Sequence, residues 1–194
     1  MGRKILVLTG SPRKTGNTNT VAGWVVEGAR EAGADVEMID VTRLKSKNNG
    51  CIACLGCQKS DKFECAVDDD IRPVLAKIAN MDVLVFATPT YFFGPSAQIK
   101  LVIDRMYSLI KFDPAKGGYV HKLGHLKWAL ICTGGGDINP GISLVDQTFK
   151  TIAGFIGAEC KSLLVPKASM YSDEIKHNKE LREKAMAFGR GLAV

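Results

Sequence analysis

At 194 residues the chain is long enough for one sizeable core and short for two domains. A composition of 46% hydrophobic and 24% charged residues reads as soluble and globular. The formal charge of +6 is scattered, with no aromatic residues interleaved along a basic stripe as single-strand binders require, so nucleic acid is not the expected partner; the excess suits a phosphorylated cofactor, an acidic electron carrier or simply solvated surface.

Lys4 to Thr9 (KILVLT) is a short apolar run rich in branched residues, which predicts a buried strand ending at Gly10-Ser11-Pro12. The N-terminus carries no pattern of a signal peptide, and no apolar stretch approaches the ~20 residues of a membrane span. The expected compartment is the cytoplasm, where six cysteines stay thiols or bind metal. Asn17 to Ala32 places Val21, Trp24, Val25 and Ala29 at helical spacing, with Gly33 as the stop. Val36 to Val41 is a second strand. Residues from about 45 to 70 read as a loop, opened by the turn signal Asn48-Asn49-Gly50. A helix over Ile71 to Ala79, a strand over Asp82 to Ala87 and a long helix over Ser96 to Phe112 follow. Lys127 to Thr133 gives a fourth strand, Ile142 to Ile156 a helix, Cys160 to Val165 a fifth strand and Asp173 to Arg190 a closing amphipathic helix. Strands alternating with helices predict an α/β fold, a parallel sheet covered on both faces. With no repeat or linker, residues 1–194 are expected to form a single domain carrying a cysteine-rich loop.

In such sheets ligands bind beyond the carboxyl ends of the strands. After the first strand, small residues and the hydroxyls of Ser11, Thr15, Thr18 and Thr20 lead straight into a helix, and Arg13 adds a cation. The N–H groups at the helix start complete a phosphate cradle. It lacks both the Walker ending and the spacing of a dinucleotide fingerprint. After the third strand, Tyr91-Phe92-Phe93 stand on a loop where they could line a flat aromatic ligand. After the fourth comes the Gly-rich lip Thr133 to Asp137. A phosphate site, an aromatic wall and a glycine lip on one edge suit a planar heterocycle with one phosphate, and flavin mononucleotide (FMN) fits.

The spacing Cys51-x2-Cys54-x2-Cys57-x7-Cys65 crowds four thiols into one loop. Four soft thiolates suit a [4Fe–4S] cluster or a structural zinc, although zinc sites usually join two pairs across a longer stretch. Reduced thiols without metal are the third reading. Cys132 and Cys160 lie on predicted strands and read as buried inert thiols. His121, His125 and His177 read as surface residues, and Trp24 and Trp128 as core.

The run G-S-P-R-x-x-G-N-T, the cysteine loop and P-x-Y-F-G-x-x-S-A-Q-x-K-x-x-I-D-R together resemble the NADPH-dependent FMN reductases of the flavodoxin-like class, and the four-cysteine run resembles the iron-sulfur flavoproteins. The resemblance implies a flavodoxin-like three-layer sandwich with a five-stranded parallel sheet in the order 2-1-3-4-5. It implies that Ser11, Arg13, Gly16, Asn17 and Thr18 hold the FMN phosphate. Pro89, Thr90, Tyr91, Phe92 and Gly94 would border the isoalloxazine, and Thr133, Gly134, Gly135 and Gly136 would close over it. Cys51, Cys54, Cys57 and Cys65 would ligate a [4Fe–4S] cluster. The flavin carries the chemistry, so no side chain is expected as an acid, base or nucleophile. The expected activity is an FMN-dependent oxidoreductase moving electrons between NAD(P)H or a ferredoxin-like carrier and a small acceptor, in a homodimer or homotetramer. The alternatives are a plain NAD(P)H:FMN or quinone reductase without a cluster, and a flavodoxin-type electron-carrier module. Lys100, Asp104 and Arg105 match the family's K-x3-D-R and read as structural, with Lys100 and Asp104 spaced for a helix-surface ion pair.

Overall fold

The computed structural model describes residues 2–194, for 172 and 173 the backbone alone. In chain order the elements are β1 (Lys4–Thr9), α1 (Asn17–Glu31), β2 (Asp35–Asp40), α2 (Gly56–Lys59), α3 (Ile71–Ile78), β3 (Val83–Tyr91) and β4 (Gly94–Pro95). They continue as α4 (Ala97–Arg105), β5 (Ile110–Asp113), β6 (Gly118–His121), β7 (Lys127–Thr133), α5 (Ser143–Phe155), β8 (Cys160–Val165), α6 (Ser172–Lys176) and α7 (Lys179–Leu192). The parallel sheet runs β2-β1-β3-β7-β8, which is the flavodoxin-like order read from the sequence.

Each central strand is apolar on both sides because each side meets a helical layer. Leu6, Leu8, Leu84, Phe86, Trp128 and Leu130 face a core shared with α3, α4 and α5. Ile5, Val7, Val83, Val85, Ala129 and Ile131 face the other, shared with α1 and α7. The period of two along a strand is what splits one sequence between two cores. Trp128 is fully buried, as read; Trp24 is only half-buried, against the α1 and α7 side. The layer of α1 and α7 is tight: a Cβ on Gly28 would stand 2.1 Å from the Met186 carbonyl oxygen, and one on Gly189 2.0 Å from that of Val25.

Two helices differ from expectation. The helix predicted over Ser96 to Phe112 ends at Arg105; a short 3-10 turn, Met106–Leu109, then leads into β5, which pairs with β6 as an antiparallel hairpin. Ile110 does continue the helical stripe, but Pro114 disfavours helix for the residue before it. The Gln58 side chain settles the matter by donating to the Ile110 carbonyl at 2.8 Å and accepting from the Phe112 N–H at 3.1 Å. The closing helix is interrupted at His177 and Asn178, where Asn178 Oδ1 accepts from the Leu181 N–H at 2.9 Å. An Asn side chain that satisfies an orphan N–H starts a new helix better than it continues an old one. Among the described residues no helix is long and apolar enough to cross a membrane.

Candidate functional site

The carboxyl edge of the sheet gathers the three unusual segments. The loop after β1 is folded on itself: the Gly16 N–H donates to the Arg13 carbonyl at 2.9 Å, and Asn19 Nδ2 donates to the same oxygen at 3.0 Å. A Cβ on Gly16 would press on Arg13 and stand 3.3 Å from Ser11 Oγ, so the turn closes only around a bare α-carbon. Gly16 also caps α1 without any side-chain hydrogen bond. The first N–H groups of α1 therefore face the loop with their partial positive charge. Ser11, Asn17 and Thr18 are buried, whereas Arg13 is exposed and donates to the Met170 carbonyl at 3.0 Å.

Asn17 donates through Nδ2 to the Ser169 carbonyl at 2.7 Å, which leaves its Oδ1 buried and unpaired; Asn19 Oδ1 is likewise buried and unpaired. A ligand with hydroxyl groups would answer both acceptors. Thr18 Oγ1 lies 2.7 Å from Thr133 Oγ1, joining the loop after β1 to the lip after β7. The lip is held by Gly134 N–H to the Val165 carbonyl at 3.1 Å and by Ala168 N–H to the Gly134 carbonyl at 2.9 Å. A Cβ on Gly134 would stand 2.9 Å from Ile142 and 3.3 Å from Thr90 Oγ1, so the lip lies close to the end of β3 and leaves no room there for a side chain.

A cleft of about 370 Å³ opens between them, lined by Thr90, Phe92, Phe93, Gly134, Gly135 and Gly136, by Asp137 and by Asn139 to Ile142. Pro89, Tyr91 and Gly94 are not part of this lining. Pro89 pairs with Thr133 within the sheet, and Tyr91 pairs with Gly94 in the turn of β3 and β4. Phe92 and Phe93 both have positive φ, and Phe92 is 97% exposed. Strain of that kind collects where a ligand or partner uses it. The sequence reading missed the segment 167–170 that embraces Arg13 and Asn17, because backbone carbonyls leave no side-chain signature. It also missed Asn139 to Ile142 in the cleft wall, where Pro140-Gly141 was the available signal.

The cysteines form a second site. Cys51 and Cys54 are exposed, Cys57 and Cys65 buried, and all four line one cavity of about 270 Å³. Ala53 and Leu55 flank Cys54 with φ of 51° and 55°, a left-handed backbone that aims the intervening thiol. Among the described residues no group of three or more His, Cys, Asp or Glu is placed to hold a single metal ion. A lone zinc needs all its sulfurs ~2.3 Å from one point. The four thiols line one cavity without converging on a single metal-ion position.

The loop's ends are zipped together. Lys45 N–H donates to Asp70 Oδ2 at 2.8 Å, and Lys47 N–H to Asp69 Oδ2 at 3.0 Å. Arg105 closes the clasp, with Nη1 2.8 and 2.7 Å from the two Asp69 oxygens and Nη2 3.3 Å from Cys65 Sγ and 3.1 Å from the Val67 carbonyl. Burial alone would raise the Asp69 pKa, but the Arg105 hydrogen bonds and charge and the N–H groups of Lys47 and Ile71 outweigh it and hold it at about 2. Burial pushes Cys132 up to about 11, so this thiol, 3.3 Å from Thr90 Oγ1, stays protonated. Burial does the same for Cys160, likewise to about 11. Lys100 and Asp104 form the ion pair their spacing predicts, at 2.5 Å. Helix α4 connects the two sites: the Ser96 N–H before it donates to Thr88 Oγ1 at 2.9 Å, and Arg105 ends it. Its nine residues span roughly 14 Å.

A doubly covered parallel sheet in this order, with a cradle, an aromatic loop and a glycine lip at its carboxyl edge, defines a flavodoxin-like protein. The NADPH-dependent FMN reductase family matches this sequence over residues 3–188, and the chain belongs to that family. An iron-sulfur flavoprotein of Methanocaldococcus jannaschii is 33% identical over 102 residues, covering 53% of this chain and 51% of that one. The chain thus matches about half the length of that relative. A Bacillus subtilis protein named as an NAD(P)H-dependent FMN-containing oxidoreductase is 26% identical over 194 residues, covering 98% of this chain and 99% of its own. Among solved structures, an NAD(P)H:quinone oxidoreductase from Methanothermobacter marburgensis shares the fold with a TM-score of 0.77 at 16% identity, covering 99% of this chain and 100% of that one.

Proposed function

We propose that the chain is an FMN-dependent oxidoreductase that moves electrons from NAD(P)H or a ferredoxin-like carrier to a small acceptor, with a [4Fe–4S] cluster in its cysteine loop. The observation that carries the flavin reading is the convergence of three segments at the sheet edge, with Thr18 hydrogen-bonded to Thr133 and with Thr90 and Gly134 lining one cleft. Bound FMN supplies both hydride and single-electron transfer, which couples a nicotinamide to one-electron partners. Ser11, Gly16, Asn17, Thr18 and the α1 N-terminus receive the phosphate in this reading, and Arg13 adds charge from the rim. The unpaired oxygens of Asn17 and Asn19 accept from ribityl hydroxyls. Thr90, Phe92 and Gly134 to Gly136 border the ring, with Pro89, Tyr91, Gly94 and Thr133 holding that border in place.

Two observations favour the cluster: the four thiols share one cavity, and buried polar atoms beside it lack partners. The near-complete match to an FMN-containing oxidoreductase supports a second reading, a plain FMN or quinone reductase with idle cysteines. An anaerobic visible spectrum with iron, sulfide and FMN assays separates them. FMN with about four irons per chain supports the first reading. FMN without iron after anaerobic reconstitution supports the second, and no FMN binding rejects both. Oxidation of NAD(P)H with a quinone acceptor then tests the activity. The assembly expected is a homodimer or homotetramer, with the exposed Phe92 against the partner; a monomeric mass in solution rejects it.

A further inference from the structure

Arg105 and Ser108 are each only 2% exposed, and both line the cavity of the four cysteines. The Nη1 and Nη2 groups of Arg105 are spent on Asp69, Cys65 and Val67. Its Nε is buried with no partner, and so is Ser108 Oγ. A structural ion pair explains the first set of contacts but neither orphan. Buried donors left without acceptors cost free energy, and native structures rarely keep two beside one cavity. Apart from Tyr107, which is partly exposed, the rest of the lining is thiols and apolar groups such as Ile52, Leu55 and Val67, so sulfur is the main side-chain acceptor chemistry the cavity offers.

We propose that Arg105 Nε–H and Ser108 Oγ–H donate hydrogen bonds to the sulfurs of the iron-sulfur group held by Cys51, Cys54, Cys57 and Cys65, and so set its reduction potential. The proposal rests on the cluster reading above. Hydrogen bonds and a fixed positive charge stabilise the added electron, so both residues raise the potential. Arg105 also aims Cys65 through Nη2.

The decisive variant is Ser108→Ala. It deletes a hydroxyl that has no partner, so the cluster-free protein keeps its Tm or gains slightly. A structural role predicts a lower Tm instead. In reconstituted protein with full iron and FMN, the cluster midpoint should shift to more negative potential in Ser108→Ala. An unchanged midpoint at full iron overturns the Ser108 assignment. On wild-type protein, the Fe–S stretching bands in resonance Raman spectra should shift in D2O, and part of that shift should survive in Ser108→Ala as the Arg105 share. No surviving shift overturns the Arg105 assignment. A wild type that takes up FMN but no iron overturns the cluster reading and this inference together, which distinguishes that failure from the others.

Discussion

Thr18 shows how much one side chain can decide at the sheet edge. Its hydroxyl is buried, shares a 2.7 Å contact with Thr133 and stands at the opening of α1 where an anion would gather. Thr18→Val keeps the shape and removes the donor. A hydrogen bond to a charged group is worth ~1.5–3 kcal/mol, so FMN affinity should fall on the order of tenfold or more. Fluorescence titration measures it, and an unchanged Kd would place the phosphate elsewhere. Asp69 makes a different prediction, about pH. Its folded pKa of about 2 is depressed from 3.8, so its stabilisation is complete above the unfolded value and is lost as pH falls from about 4 towards 2. The increment is about 2 kcal/mol. Asp69→Asn should lose it at neutral pH and show a shallower acid limb in that window when unfolding is followed by circular dichroism. An identical acid limb would mean that Arg105 does not hold the carboxylate.

At the scale of elements, the hairpin of β5 and β6 is tied to the cysteine loop. Gln58 fastens the loop to β5 through two hydrogen bonds, Lys111 Nζ donates to the Cys57 and Ser60 carbonyls, and Phe63 packs between Lys111 and Lys122 at 5.6 and 5.2 Å. Gln58→Ala removes the bridge while leaving the edge of β7 and the cradle untouched. Amide exchange over residues 56–65 should accelerate severalfold, with FMN affinity unchanged. Unaltered exchange would mean that the clasp of Asp69 and Arg105 alone holds the loop.

For the whole molecule, the closeness of the two helices on one face fixes how the C-terminus packs. Gly189 lets α7 approach the Val25 carbonyl, and no side chain fits between them. Gly189→Ala forces the helices apart and should cost ~1–3 kcal/mol, a fall of several degrees in Tm by calorimetry. An unchanged Tm would mean that α7 can shift along α1 without loss. The cysteine loop lies with α3 and α4 on the other face of the sheet and is expected to keep its structure in the folded fraction, whereas the candidate cradle opens α1 itself and shares the strain.

Strand identity was legible because an apolar run of branched residues that is buried on both faces has few other stable fates, whereas the sheet order came with the family resemblance. The candidate cradle over residues 11–18 stood out for a related reason: glycine, hydroxyl and cation ahead of a helix are a local arrangement. The cysteine spacing was equally local. Tertiary structure alone decided what lies far apart in sequence. Ile110 fits a helical stripe and a strand alike, and pairing with His121 in β6 together with capture by Gln58, 52 positions earlier, made it a strand. Arg105 read as a structural residue of a short motif, but its partner Asp69 lies 36 positions away and carries no mark of the pairing. The carbonyls of Ser169 and Met170 reach the cradle across more than 150 positions and carry no sequence mark. Pattern reveals what each segment prefers, and packing chooses between preferences of similar free energy.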